Sequence, residues 1–152
     1  SPLMQGLTLC KWMETSAVPI YRSRTRHFNC NNEGSKSRHG EPGHEDLLFK
    51  TLANLKAISD RSGVSLLDLS LAYPLHKEGV SCVIAGATKI DHVSGNAKAG
   101  EVRLSDELMT ELDEATKDLK EAMGPNCDLW QGTISGGSQK DDSRIEGQAK
   151  TK

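Results

Sequence analysis

The stretch Gly79-Val80-Ser81-Cys82-Val83-Ile84-Ala85-Gly86-Ala87-Thr88-Lys89-Ile90-Asp91-His92-Val93-Ser94-Gly95-Asn96 decides how the chain is read. Its first part, Val80 to Ala87, is small, apolar, partly β-branched and uncharged. A short run of this kind reads as a strand covered on both faces, the pattern of a parallel sheet. Gly86 and Ala87 then remove side-chain bulk where the chain has to turn, and a helical segment, Ile90 to Ala99, follows Thr88 and Lys89. Strand, small-residue turn and helix start leave backbone N–H groups pointing at an anion, and Lys89 adds a positive charge at that point. A glycine at such a joint also serves purely steric ends, so the pattern alone leaves both readings open.

Outside this stretch, the 152 residues amount to one domain of ordinary size. Hydrophobic residues make up 36% and aromatics 4%, with a mean hydropathy of -0.52, which permits a modest core. A net charge of -2 and a pI near 6.2 offer nothing that attracts nucleic acid or an anionic membrane. No apolar run approaches the roughly 20 residues that span a bilayer. Ser1 to Cys10 lacks the basic start and apolar middle of a secretory signal. The first residues instead read as the interior of a strand, without an initial Met, so a preceding portion is expected. Cys10, Cys30, Cys82 and Cys127 form no C-x-x-C pair. Reduced thiols in a cytoplasmic protein are the expectation, with Cys82 acting as a small hydrophobe.

Residues 18–43 are polar, contain Pro19 and Pro42, and hold no sustained periodicity, so they read as a long loop. Arg22, Arg24 and Arg26 alternate along it, followed by Arg38 and His39. Such a set either clamps a phosphate bidentately or forms a solvated loop. His27, Cys30, His39 and His44 match no zinc spacing and have no acidic support, so no metal site is expected.

The rest reads as helix. Glu45 to Ser62 carries acidic residues in its first turn and a stripe of Leu48, Leu52, Leu55 and Ile58, and Gly63 ends it. Ser65 caps a second helix, with Asp68 completing an approximate capping box, and Pro74 kinks or ends it. Ser105 caps a third long segment, Asp106 to Ala122, striped by Leu108, Leu112, Ala115 and Leu119 and closed by Gly124-Pro125. Trp130 is expected to pack back, and residues 131–152 to form a poorly ordered tail to a 1–130 domain. A strand end, helices, a second strand and further helices place the chain in the α/β class.

Several of these motifs, in this order, resemble the aldo-keto reductase superfamily. Ser1-Pro2-Leu3, Gly6-Leu7 and Lys11-Trp12 resemble the end of its seventh barrel strand. Gly86-Ala87-Thr88-Lys89, with His92 and Asn96 a helix further on, resembles its cofactor-gripping turn. Ser143-Arg144-Ile145 resembles its ending. The resemblance implies the C-terminal portion of a (β/α)8 TIM barrel, incomplete as given, with a phosphate site at the loops after strands seven and eight. It implies NADP(H) as cofactor, touched by Ser1, Pro2, Leu3, Gln5, Gly6, Arg24, Gly86, Ala87, Thr88, Lys89, His92 and Asn96, with Arg26 second to Arg24. His92 and Asn96 would lie toward the adenine and its 2′-phosphate. Thr8-Leu9-Cys10 departs from the family's Leu-Thr-Gly, and Gly95 stands where an acidic residue is usual.

The family's tetrad of Tyr, Asp, Lys and His belongs to the first half of the barrel. Tyr21, Tyr73 and the lysines here do not stand in its contexts, so no catalytic residue is assigned. The implied function is NADPH-dependent reduction of aldehydes or ketones, active only within a longer chain, on a small-molecule carbonyl, with no nucleic acid or membrane partner. The alternative is a non-catalytic dinucleotide-binding or regulatory interaction module. A nucleic-acid or phosphoprotein binder built on Arg22 to Arg26 is opposed by the negative net charge and the few aromatics.

Overall fold

Leu48, Leu52 and Ile58 recur at helical spacing, and helix α1 (Glu45–Ser62) turns all three inward. Gly63 ends it in the left-handed region, at φ 71°, which a glycine adopts without a Cβ penalty. Helix α2 (Leu66–Leu75) begins where the Ser65 hydroxyl accepts from the Asp68 N–H at 3.1 Å and donates to the Asp68 carboxylate at 2.7 Å. Pro74 sits in its last turn, so the helix stops at Leu75. Helix α3 (Ile90–Ala99) lies against α2. Helix α4 (Asp106–Met123), capped by Ser105 at the Leu108 N–H, packs along α1 and runs one residue beyond the expected end. This computed structural model describes residues 2–131. Ser1, the tail from residue 132 and Ser143-Arg144-Ile145 lie outside the described residues.

The apolar stripes meet in two adjoining clusters. One joins Leu48 and Leu52 of α1 to Leu119 and Met123 of α4, with Leu7, Val18 and Phe28 contributed by the loops. The other joins Ile58, Leu69, Ala72 and Leu112 to Leu104, just before α4. His76 ties these regions: Nδ1 lies 2.9 Å from the Ala72 carbonyl, and Nε2 accepts from the Leu104 N–H at 3.2 Å. Both contacts are met by the neutral tautomer with its proton on Nδ1.

Two strand expectations are corrected. No strand occurs among the described residues, which are helical or irregular. Val80–Ala87 is irregular and mostly exposed, and Ile84 is 91% accessible. Its apolar, uncharged sequence suits a buried strand, but a strand needs neighbouring strands to satisfy its backbone groups, and none lies beside it. The expected strand end at Pro2-Leu3 is a turn leading into a 3-10 segment, Met4–Leu9, with Gln5 at φ 59° and Gly6 at φ 96°. Cys10, standing where the resembled family has glycine, is held in the left-handed region at φ 50°. That conformation costs a residue with a Cβ roughly 1–2 kcal/mol.

The long loop lacks helix from Val18 to Gly43, yet it is firmly anchored. Arg26 is 4% exposed and aims its guanidinium at the C-terminal end of α4. Nη2 donates to the Met123 carbonyl at 2.7 Å, Nη1 to the Asn126 carbonyl at 2.9 Å, and Nε to Glu41 at 2.8 Å. The Arg26 backbone N–H also donates to the Leu129 carbonyl, at 2.8 Å. Leu129, rather than the expected Trp130, packs back on the core, because Trp130 stays 42% exposed. The guanidinium thus satisfies the Met123 carbonyl at the helix end and the Asn126 carbonyl beyond it, and its charge complements the helix dipole.

Replacing Arg26 with Met is expected to cost about 3 kcal/mol in a urea unfolding titration, because it removes the ion pair to Glu41 and the donors to the Met123 and Asn126 carbonyls. Ser105→Ala should cost about 1 kcal/mol in the same assay, the usual value of an N-cap.

Candidate functional site

The turn Gly86–Lys89 and the start of α3 form the best-defined part of the expected site. Lys89 is the N-cap in extended conformation (φ -139°, ψ 154°), and no side chain caps the helix. The N–H groups of His92 and Val93 return to the Lys89 carbonyl, at 3.1 and 3.3 Å. The earlier donors of the turn are therefore left for solvent or an anion. Asn96 reaches back with Nδ2 to the Gly86 carbonyl, at 3.4 Å, and the Thr88 hydroxyl lies 3.4 Å from His92 Nδ1. Gly86, Thr88, His92 and Asn96 are thus gathered around one exposed helix start beside Lys89, and Ala87 lies between them in sequence. Nothing stands within 4 Å of where a Gly86 side chain would begin, so the backbone there is open to close approach. At Gly95, a Cβ would meet Leu67 of α2 at 3.4 Å, so this position faces the neighbouring helix.

The second part is the loop from Pro2 to Gly6. The Gly6 N–H donates to the Leu3 carbonyl at 2.7 Å, closing a tight turn. Arg22 Nη1 donates to the Gln5 carbonyl, and its guanidinium lies 5.7 Å from the Trp12 ring centre and 5.3 Å from that of Tyr21. Cation–π attraction of this kind holds the charge beside the loop. The arginine brought onto Pro2–Gly6 is therefore Arg22. Arg24 is half-buried, with its Nε unpartnered, and Arg26 is spent on α4. Alternation along the loop gave no means of ranking the three, since each partner comes from a different, distant segment.

Pro2 and Pro74 line an open hollow of about 560 Å³ together with Val80, Cys82, Val83 and Ile84. The N-terminal loop thus faces the root of the expected strand, while Gly86–Asn96 lies outside that hollow. A deeper apolar cavity of about 220 Å³ adjoins it, walled by Thr8, Leu66, Leu69, Tyr73 and Leu112.

A polar cluster that the sequence reading did not single out sits behind Tyr73. The Tyr73 hydroxyl donates to Asp113 and accepts from Lys120 at 2.8 Å, and Lys77 donates to the other Asp113 oxygen at 2.5 Å. Both ammonium groups also lie over the Tyr73 ring, at 4.7 and 5.3 Å. The Lys77 hydrogen bond, followed by that of Tyr73, holds the Asp113 carboxyl down at about 2. The signal available in sequence was the spacing of Tyr73, at the end of α2, and Lys77 just beyond it. Through its bond to Asp113, Tyr73 locks α2 to α4. Among the described residues no three His, Cys, Asp or Glu side chains gather to hold a metal ion, and no helix is long and apolar enough to cross a membrane.

The chain belongs to the aldo/keto reductase family, whose sequence model matches residues 1–117. It is 35% identical over 70 residues to an uncharacterized oxidoreductase of Schizosaccharomyces pombe, a match covering 46% of this chain and 23% of the relative. It is 32% identical over 102 residues to an Arabidopsis thaliana protein named as a probable voltage-gated potassium channel subunit beta, covering 67% of this chain and 29% of the relative. The chain therefore spans less than a third of either relative.

Tyr73→Phe is expected to lower stability by about 1 kcal/mol in thermal unfolding, the usual worth of one hydrogen bond. The Asp113 contribution has a depressed carboxyl behind it. It is present above pH 3.8 and lost as the pH falls toward 2, and solvent exposure keeps it small.

Proposed function

We propose that this chain is the cofactor-gripping C-terminal part of an NADP(H)-dependent oxidoreductase that reduces aldehydes or ketones to alcohols. The observation that carries the reading is the uncapped start of α3, with Lys89 at its N-cap and Asn96 bracing Gly86. The residues fit the group: exposed backbone donors and Lys89 suit a phosphate, the bare Gly86 permits close approach, and Arg22 beside Gln5 supplies a second cation. Bound NADPH would supply a hydride. What this chain's own residues do is neutralise phosphate charge and fix the orientation of the dinucleotide. Ser1, Pro2, Leu3, Gln5 and Gly6 contribute the facing loop in this reading, with His92 and Asn96 toward the adenine side.

The catalytic tetrad would stand in a portion of the barrel that precedes this chain, and Val80–Ala87 would pair as a strand once that portion covers it. The substrate is a small carbonyl compound, in a cytoplasmic protein that engages neither nucleic acid nor membrane.

A second reading, a regulatory or interaction module that keeps its dinucleotide contacts without turnover, is favoured by the likeness to the Arabidopsis probable potassium channel subunit beta. The bare Val80–Ala87 segment would then be its docking edge.

NADPH fluorescence titration separates the two, run on the 152-residue chain and on the product of the full-length transcript. Binding with carbonyl-dependent NADPH oxidation by the longer form supports the reductase, and tight binding without turnover supports the module. Lys89→Glu should weaken NADPH binding about tenfold and narrow its preference over NADH. Unchanged affinity for both cofactors in this variant sinks the assignment of the α3 start as a phosphate site.

A further inference from the structure

Four consecutive residues of the long loop, Thr25, Arg26, His27 and Phe28, are buried, which is unusual for a segment without helix or strand. His27 is 4% exposed. Its Nδ1 lies 3.0 Å from the Thr25 hydroxyl, and its carbonyl accepts from the His44 N–H at 2.8 Å. His39 is buried beside it, accepting the Glu41 N–H on Nδ1 at 3.0 Å, while its Nε2 has no hydrogen-bond partner.

The surroundings of His27 are unfavourable to a proton; at His39, Glu41, Glu45 and the Thr25 backbone favour one, and burial outweighs them. From the loop itself come Arg26, His39 and Glu41, and from the entry to α1 come His44 and Glu45. From α4 comes only its carbonyl end, which Arg26 takes up. Glu41 is bonded to Arg26, and Glu45 Oε1 accepts from the Asn29 N–H at 2.6 Å and from Asn32 at 3.0 Å. A cation on His27 would therefore sit among Arg26, His39 and His44, with both nearby carboxylates already engaged.

We propose that Thr25–His44 is an acid-released latch that holds Arg22 against the Pro2–Gly6 loop. In the closed loop, burial first and the neighbouring cations second press the His27 imidazole from its ordinary 6.5 down to about 4. Burial lowers His39 as well. The opened loop exposes both rings to water, where they take protons at the ordinary value. Closure is therefore at full strength above pH 6.5 and weakens progressively as the pH falls toward 4. Release removes the anchor only four residues beyond Arg22, whose guanidinium rests on the Gln5 carbonyl between Trp12 and Tyr21. The effect on NADP(H) affinity rests on the function proposed above; the latch itself does not.

The test uses the whole chain carrying Trp130→Phe, so that Trp12 alone reports by fluorescence, with amide hydrogen exchange read across residues 25–44. Between pH 7.5 and pH 5, the opening constant of this segment should rise about thirtyfold after correction for intrinsic exchange, while far-UV circular dichroism keeps its helical signal. His27→Gln should flatten that slope even if it loosens the loop at neutral pH, because the slope and not the absolute protection reports the proton. A direct imidazole titration by NMR should place His27 well below 6.5. The latch is overturned by a flat response in the wild type, by loss of helix together with the loop, or by an unchanged slope in His27→Gln. An intact loop transition with no NADPH binding at any pH would remove the dinucleotide reading and leave the latch standing.

Discussion

The Arg26 guanidinium at the end of α4 is the constraint on which the arrangement depends. It gathers three segments distant in sequence: the long loop through its own backbone, the chain after α4 through Asn126 and Leu129, and the loop's return through Glu41. A buried arginine is tolerable only when its donors are taken up, and here they meet two carbonyls and a carboxylate. With that clamp in place Phe28 and Val18 can join Leu48, Leu52 and Leu119 in one core. A loop of this length is thereby made part of the packed body, and Arg22, four residues earlier, is delivered to the Pro2–Gly6 turn.

The helices divide the remaining work. α1 and α4 supply the broad packing surface, while α2 is fixed at its C-terminal end. His76 bonds it to Leu104, and the Tyr73–Asp113 contact with its flanking lysines holds it to α4. α3 is attached more lightly, through α2 and through Gly95 against Leu67, and it keeps its first turn exposed. That exposure is what an anion-binding helix start requires, since a side-chain cap would occupy the donors a phosphate needs. The same economy leaves Ile84 and Ile90 uncovered. Val80–Ala87 is apolar and uncharged, and no strand pairs with it among the described residues.

Family membership and site geometry are separate statements. The family match covers residues 1–117, which includes both loops of the proposed phosphate site. The geometry adds that Arg22 is the arginine on the first loop, and that Tyr73 is bound to Asp113 and Lys120.

The sequence by itself determined the four helices and most of their ends. Their information is local: stripes at helical spacing, serine caps, and glycines at C-termini, each acting over one or two turns. It also marked the turn at Gly86–Lys89 and the family, because those signals are short and contiguous. Only the tertiary structure decided the rest. Val80–Ala87 has the composition of a strand, but strand pairing is a contact between distant segments and no local pattern can supply the partner. Three arginines spaced alike along a loop were separated in role by what lies across from each: Gln5 for Arg22, no partner for the Arg24 Nε, and the end of α4 for Arg26. The burial of His27 and the Tyr73–Asp113 lock likewise depend on residues far off in the chain, and their chemistry became visible only when folding brought them together.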